Sequence, residues 1–184
     1  MSLRLGVSTI GAAAGDWPDR CRRIESLGLD EISAADHLVA GCLAPMPALA
    51  AAAAVTERVS LSTMVLNNEL RHPAVLANEA AMVAELAHGR LRLGIGAGYA
   101  REEHDAIGTS LPPPATRVER LAESVAIVRR LLAGETVSTA GPHFRLDRHT
   151  VTPVPSQPVP VLVGGGSRSV LRVAAEHADI VGIN

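Results

Sequence analysis

The sequence predicts an α/β fold in which a parallel sheet is covered by helices. Two observations carry that expectation. Short β-branched or Leu-rich runs are followed, repeatedly, by longer segments whose apolar residues have helical spacing. Six such runs and about five helices follow one another in βα order, which implies parallel strands joined by crossover helices.

Leu3 to Ile10 forms the first predicted strand, and Gly11 to Gly15 a flexible loop. Asp16 is placed to cap a helix that has Pro18 in its first turn, Cys21, Ile24 and Leu27 on one face, and Gly28 at its end. Leu29 to Ala34 is the second strand, with Asp36 and His37 directly after it. Pro45 and Pro47 open an Ala-rich helix expected to reach about Glu57. Val59 to Leu66 is the third strand, followed by a polar loop from Asn67 to His72. Pro73 starts a helix whose buried face is expected to carry Val75, Leu76, Met82, Val83 and Leu86, and Gly89 ends it. Leu91 to Ala97 is the fourth strand, with Gly94 and Gly96 at alternate positions. Beyond Pro112–Pro114, Ala115 to Leu132 is the longest helix. The segment from Gly134 to Gln157 interrupts the alternation, with a small hairpin predicted from Val137–Thr139 and His143–Leu146. Pro158 to Val163 is a strand, Ser167 to Glu176 a helix and Asp179 to Ile183 the last strand.

A parallel βα series closes either as an open doubly wound sheet or as a barrel. A full (β/α) barrel takes eight strands and roughly 250 residues. The 184 residues here supply six strands, so the pattern alone leans toward the open sheet.

Composition narrows the partners. There are 17 basic and 19 acidic residues, a net charge of -2, and hence no general basic footprint for nucleic acid. One Trp, one Tyr and one Phe leave almost no platform for stacking bases. No apolar run reaches the roughly 18 residues that span a bilayer, and no basic, leader-like start is present, so a cytoplasmic location is expected. Cys21 and Cys42 lack metal-ligand spacing, His72, His88, His104, His143, His149 and His177 show no paired metal spacing, and no metal site is expected.

In parallel α/β folds ligands bind at the carboxyl ends of strands. That rule selects four places. Asp36 and His37 set a carboxylate beside an imidazole, a pair suited to proton exchange or to hydrogen-bonding a ring edge, or equally to capping a loop. Thr63 to Asn68 put a polar tip on a buried strand, fit for a planar ligand or for a turn. Gly94, Gly96 and Gly98, before Tyr99, permit close approach of a flat ring or of neighbouring side chains; they are a weak dinucleotide fingerprint. Arg101, Glu102, Glu103 and His104 then read as a solvated helix start. Gly164, Gly165, Gly166, Ser167 and Arg168 lead from a strand into a helix, which suits a phosphate, or a plain turn with Ser167 as N-cap.

Taken in order, these segments resemble the luciferase-like monooxygenase family, over essentially the whole chain. The likeness rests on Ser-Ala-Ala-Asp-His (33–37), Thr-Glu-Arg-Val-Ser-Leu-Ser-Thr-Met-Val-Leu-Asn-Asn (56–68), Arg-His-Pro (71–73), Gly-Arg-Leu-Arg-Leu-Gly-Ile-Gly-Ala-Gly-Tyr (89–99), the Pro-Pro-Pro stretch, Arg-Val-Glu-Arg-Leu (117–121) and Val-Leu-Val-Gly-Gly-Gly (161–166). Within the family it is similar to the branch that uses the deazaflavin coenzyme F-420 in place of FMN. The resemblance reverses the leaning above. It implies one TIM-type (β/α) barrel domain over 1–184, incomplete at about six of eight strands and lacking its C-terminal βα units, with 134–157 as an insertion.

The resemblance also implies roles. His37 is the acid/base or ring-contacting residue, and Tyr99 stands where the sugar-phosphate-specific member has a catalytic Glu. That departure argues against the same substrate, while a phenol still orients a carbonyl. Asp36 lies near the ring edge, Met64 and Val65 match a non-proline cis peptide under the ring, and Ala97 and Gly98 approach backbone-first. Gly164, Gly165, Gly166 and Ser167 hold the phosphate. The implied reaction is hydride transfer between deazaflavin C5 and a small organic substrate. The alternatives are an FMN monooxygenase using reduced flavin and oxygen, and a catalytically silent barrel acting as a structural partner. A homodimer is expected.

Overall fold

A computed structural model describes residues 3–183. Its centre is a parallel sheet formed by β1 (Gly6–Ser8), β2 (Glu31–Ala34), β3 (Ser60–Thr63), β4 (Leu66–Asn67), β5 (Leu91–Gly96), β8 (Val161–Gly164) and β9 (Ile180–Gly182). The strands lie in the order β1, β2, β3, β5, β8, β9, with β4 continuing the line of β3 along β5. The intervening β6 (Val137–Ala140) and β7 (Arg145–His149) form a separate antiparallel hairpin. The helices are α1 (Trp17–Ser26), α2 (Pro45–Ala53), α3 (Pro73–Leu86), the short α4 (Arg101–Ala106), α5 (Pro114–Leu132) and α6 (Arg168–His177). The sheet is the six-strand arc of a (β/α) barrel, the closure that the resemblance implied and the bare pattern did not favour.

The third predicted strand is divided. From Ser62 to Leu66 the chain advances four residues, while its partners Arg92 to Ile95 advance three. The extra residue is accommodated at Met64–Val65, whose peptide bond is cis, as the resemblance placed it. One extra residue re-aims the side chains that follow, the usual work of a bulge near a site. Here Val65 lies between the glycines of the neighbouring strands. A Cβ on Gly96 would meet Val65 Cγ2 at 2.7 Å, and one on Gly164 would meet Val65 Cγ1 at 2.7 Å. Gly96 and Gly164 therefore make room for a neighbouring side chain, while Gly94 makes room for the backbone of Thr63.

The helices pack through small residues. α2 and α3 bury Ala48, Ala52, Ala53, Ala77, Ala80, Ala81 and Ala84, which lets helix axes and sheet come close. This corrects the predicted face of α3. Leu76 and Val83 are buried, but Val75, Met82 and Leu86 point outward, because the alanine stripe already faces the sheet. Leu27 is likewise exposed, one residue beyond α1, and α2 ends at Ala53 rather than near Glu57. Asp16 sits at the N-cap of α1 without a capping bond from its side chain. Trp17 ties α1 to α2 by donating from Nε1 to the Ala48 carbonyl at 2.8 Å.

The hairpin lies close to the predicted place, with its second strand starting two residues later and ending three residues later. It is fastened to α5: Glu123 accepts from the backbone N–H of His143 and Phe144, both at 3.1 Å, and Arg120 stacks 4.9 Å from the Phe144 ring centroid. Among the described residues no helix is long and apolar enough to cross a membrane.

Glu25 gives the fold a pH dependence. Its carboxylate accepts from the backbone N–H of Glu57, Arg58 and Val59, joining the end of α1 to the entry of β3. Burial pushes this carboxyl up, but the three backbone bonds and the Arg58 charge outweigh it and hold it below the usual range. A depressed folded value stabilises the fold fully above the unfolded value and is lost as pH falls through the folded one. Urea unfolding of Glu25→Gln is therefore expected to show lower stability than the parent at neutral pH. The gap should narrow as the pH drops below about 4, the unfolded carboxylate range.

Candidate active site

At the carboxyl ends of β2, β3, β4, β5 and β8 lies a cleft of about 1170 Å³. Small-molecule and cofactor sites run roughly 300–1,000 Å³, so there is room for a cofactor with a substrate beside it. The eleven residues to which the resemblance gives roles line it: Asp36, His37, Met64, Val65, Ala97, Gly98, Tyr99, Gly164, Gly165, Gly166 and Ser167.

Asp36 follows β2 and is buried. It does not present a free carboxylate. Its Oδ2 accepts from Arg71 Nη1 at 2.5 Å and from the Asn67 backbone N–H at 2.9 Å, and its Oδ1 accepts from Arg71 Nη2 at 3.1 Å. The fork of the guanidinium matches the carboxylate geometry, and the pair pins Asn67, the last residue of β4, two residues past the cis peptide. Asp36 thus acts on the site through Asn67 and Arg71.

His37 comes next in the chain and its two ring nitrogens have different neighbours. Nδ1 lies 2.7 Å from Glu103 Oε1, while Nε2 lies 3.5 Å from the Tyr99 hydroxyl. The two rings meet edge to face, with centroids 5.8 Å apart. Glu103 Oε2 also accepts from the Leu38 backbone N–H at 2.8 Å. Burial pushes the Glu103 carboxyl up, yet the hydrogen bonds from the Leu38 N–H and from His37 bring it below the usual range. Glu103 is therefore ionised at neutral pH.

His104, one residue further on α4, is fully enclosed. It accepts at Nε2 from Asn67 Nδ2 at 3.0 Å and faces Thr109 Oγ1 with Nδ1 at 3.1 Å. Asn67 is oriented by its Oδ1, which accepts from the Glu69 N–H at 3.0 Å. A Cβ on Gly98 would sit 2.2 Å from that same Oδ1, so Gly98 makes room for Asn67. The solvated helix start expected at 101–104 is thus half wrong: Arg101 and Glu102 are exposed, while Glu103, which lines the cleft, and His104, which does not, are buried. A helix of six residues is too short to display a buried face by periodicity.

At the other end of the cleft, β8 runs through Gly164–Gly166 into α6. Ser167 is the N-cap, its Oγ accepting from the Val170 N–H at 3.3 Å. Arg168 is exposed and does not line the cleft. Of the lining residues, Met64 is 45% exposed and Tyr99 73%, so both present surface to a bound molecule. The remaining titratable lining includes Arg92 and Glu31, paired at 2.7 Å on the floor. Among the described residues no group of three or more His, Cys, Asp or Glu side chains is placed to hold a metal ion. Cys21 is buried, which pushes its thiol up to about 11 and leaves it inert.

A parallel barrel arc with a bulge beneath a roomy cleft, a histidine at one end and a glycine-to-helix turn at the other, defines an α/β barrel with a ligand-sized cleft at the carboxyl ends of its strands. The chain belongs to the luciferase-like monooxygenase family, whose model matches residues 4–184. It is 36% identical over 162 residues to an F420-dependent glucose-6-phosphate dehydrogenase of Nakamurella multipartita, covering 84% of this chain and 48% of the relative. It is 37% identical to the protein of the same name from Kineococcus radiotolerans, covering 96% of this chain and 55% of the relative. Among solved structures, a monooxygenase from Streptomyces bottropensis superposes with a TM-score of 0.81 at 28% identity, over 94% of this chain and 57% of that one. An F420-dependent secondary alcohol dehydrogenase, in complex with an F420-acetone adduct, shares the fold with a TM-score of 0.89 at 24% identity, over 100% of this chain and 58% of that one. The chain spans about half the length of the curated relatives it matches.

Proposed function

We propose that this chain carries the cofactor end of a deazaflavin-dependent oxidoreductase, which moves a hydride between coenzyme F-420 and a small organic substrate. The observation that carries the reading is the cleft itself, with His37 at one end, the Met64–Val65 bulge in its wall and the Gly164–Ser167 turn at the other end. The names borne by the relatives above favour deazaflavin over FMN.

The residues present fit such a group. Met64 and Val65 offer an apolar support for a flat ring system. The N-terminus of α6 carries a partial positive charge suited to a phosphate. Gly165 already donates its N–H to the Gly182 carbonyl at 3.0 Å, so the backbone of Gly166 and Ser167 takes the phosphate contacts. When bound, the deazaflavin supplies the redox chemistry at its C5. The protein's part is positioning and proton handling. His37 Nε2, on the cleft side of the ring, exchanges a proton with the substrate oxygen, and Tyr99 orients that oxygen. A tyrosine in place of a carboxylate supports a substrate other than a sugar phosphate. Pairing of two copies is part of the proposal, with light scattering of the purified protein as its check.

The test is retention of cofactor by the purified protein, dialysed separately against deazaflavin and FMN. Deazaflavin retained at a stoichiometry near one per chain is expected. Preferential retention of FMN turns the reading to the monooxygenase, and retention of neither overturns both.

A further inference from the structure

Glu103 has two hydrogen-bond partners of unequal freedom, and that inequality fixes the chemistry of a third group. Its Oε2 is held by the Leu38 backbone N–H at 2.8 Å, and its Oε1 faces His37 Nδ1 at 2.7 Å. Leu38 is the residue next to His37, so one carboxylate grips both the imidazole and the backbone that carries it. An ionised carboxylate is acceptor-only. The proton between Glu103 and His37 therefore sits on Nδ1, and a neutral imidazole has its lone pair at Nε2. That nitrogen lies on the cleft side, 3.5 Å from the Tyr99 hydroxyl.

We propose that Glu103 is a positioning residue that sets the tautomer of His37, holding the proton on Nδ1 so that Nε2 presents a bare lone pair to the cleft as the proton acceptor. The inference rests on the proposed oxidoreductase reading for its use and on the Glu103 geometry for its existence. When a ligand hydroxyl gives up its proton, the O–H bond breaks and leaves its electron pair on oxygen. A new N–H bond forms at Nε2, and the imidazolium is then paired with the carboxylate of Glu103 already in place. Before a ligand enters, the Tyr99 phenol is the group near enough to donate to Nε2. His104 shows the same arrangement from a different set of partners. Asn67 Nδ2 donates to its Nε2, which leaves its proton on Nδ1 facing Thr109. Two neighbouring histidines of the site are thus each held in one tautomer by a fixed partner.

The substitution Glu103→Gln separates this role from simple packing. A glutamine has one acceptor oxygen and one donor amide. The Leu38 N–H cannot change its sense, so it takes the oxygen, and the amide turns its N–H toward His37. Nδ1 then becomes an acceptor and the proton moves to Nε2. Shape and volume are nearly unchanged, while the cleft-facing nitrogen changes from acceptor to donor.

The tautomer is read by nitrogen NMR of histidine-labelled protein at alkaline pH, with the His37 signals assigned by their loss in His37→Gln. The parent protein is expected to show Nδ1 protonated and Nε2 bare, Glu103→Gln the reverse, and Tyr99→Phe the parent pattern. A protonated Nε2 in the parent, or an unchanged tautomer in Glu103→Gln, overturns the proposal. The parent measurement decides alone if Glu103→Gln does not fold. Deazaflavin binding is measured on the same samples. A tautomer exchange with no deazaflavin bound upholds the role of Glu103 and overturns the redox reading, whereas deazaflavin bound with no exchange does the opposite.

Discussion

Gly94→Ala is expected to be the most damaging glycine-to-alanine change in this protein. A Cβ at Gly94 would lie 2.0 Å from the Thr63 carbonyl oxygen and 3.1 Å from Val65 Cγ1. The first contact is with backbone in the middle of the sheet, so no side-chain rotation relieves it. Thr63 and Gly94 are also bound to each other. Thr63 Oγ1 donates to the Gly94 carbonyl at 2.8 Å and accepts from the Gly94 N–H at 2.7 Å. Moving β5 away from β3 to admit the methyl would break both bonds. Overpacking commonly costs about 1–3 kcal/mol and more where the backbone must shift, so a loss of about 3 kcal/mol or more is expected. In a domain of this size that lowers the melting temperature by roughly 6–12 °C, since each kcal/mol is worth about 2–4 °C. Gly15→Ala is the control: nothing lies within 4 Å of its Cβ position, and its melting temperature should stay near the parent value. Thermal melts of the three proteins check the ranking.

The same clash explains which part of this molecule was legible in the sequence. Alternate glycines on the fourth predicted strand were visible, and so was the need for close approach. What approaches was not visible, because it depends on a register shift of one residue in the neighbouring strand. Strand periodicity treats 59–66 as one run, whereas the chain breaks it at Met64–Val65 and turns Val65 into the space that Gly96 and Gly164 leave open. The βα order and the ends of most elements were readable because buried strands, and helices that open on proline and close on glycine, write their pattern locally. The outward face of α3 was not. Alanine carries little weight in an apolar pattern, so Val75, Met82 and Leu86 outvoted the stripe that does the packing.

Site residues divide along a similar line. His37, Tyr99 and the Gly164–Ser167 turn fall at strand ends or helix starts, where the parallel fold places its ligands, and position alone selects them. Arg71, Asn67, Glu103 and His104 complete the site by side-chain contacts across 31 to 66 residues of sequence. Asn67 stands in the polar tip of 63–68 that strand-end position selects, but nothing local marks Arg71, Glu103 or His104. Arg71 stood inside a motif that matched the family without a role, and Glu103 sat in a charged run that reads as solvent-facing. A buried acid in such a run is recognised only when its partners, here a backbone N–H and an imidazole from another loop, are seen around it.

Arg71→Ala is the second large effect expected, and it follows from burial. The Asp36 side chain is 2% exposed, and Arg71 supplies two of the three donors that satisfy it. Removing the guanidinium leaves an enclosed carboxylate with the Asn67 N–H as its remaining donor. Breaking a buried pair on one side costs about 3–5 kcal/mol, more than the pair contributes when intact, because the surviving charge keeps its desolvation and loses its counter-charge. The double substitution Arg71→Met with Asp36→Asn removes both charges and keeps much of the volume. It is expected to recover most of the loss, so that urea unfolding ranks the parent and the double variant above Arg71→Ala. Stability and site should separate in that double variant. The amide introduced by Asp36→Asn has one acceptor oxygen in place of two, and the Asn67 N–H can keep it, so the fold recovers. The fork that fixed both carboxylate oxygens is gone, and with it the rigid seat of β4 beside the cleft. Deazaflavin retention by the double variant is therefore expected to fall below that of the parent at equal folded fraction, measured by dialysis after the unfolding curves have matched the two. Equal retention would assign the Asp36–Arg71 pair to stability alone.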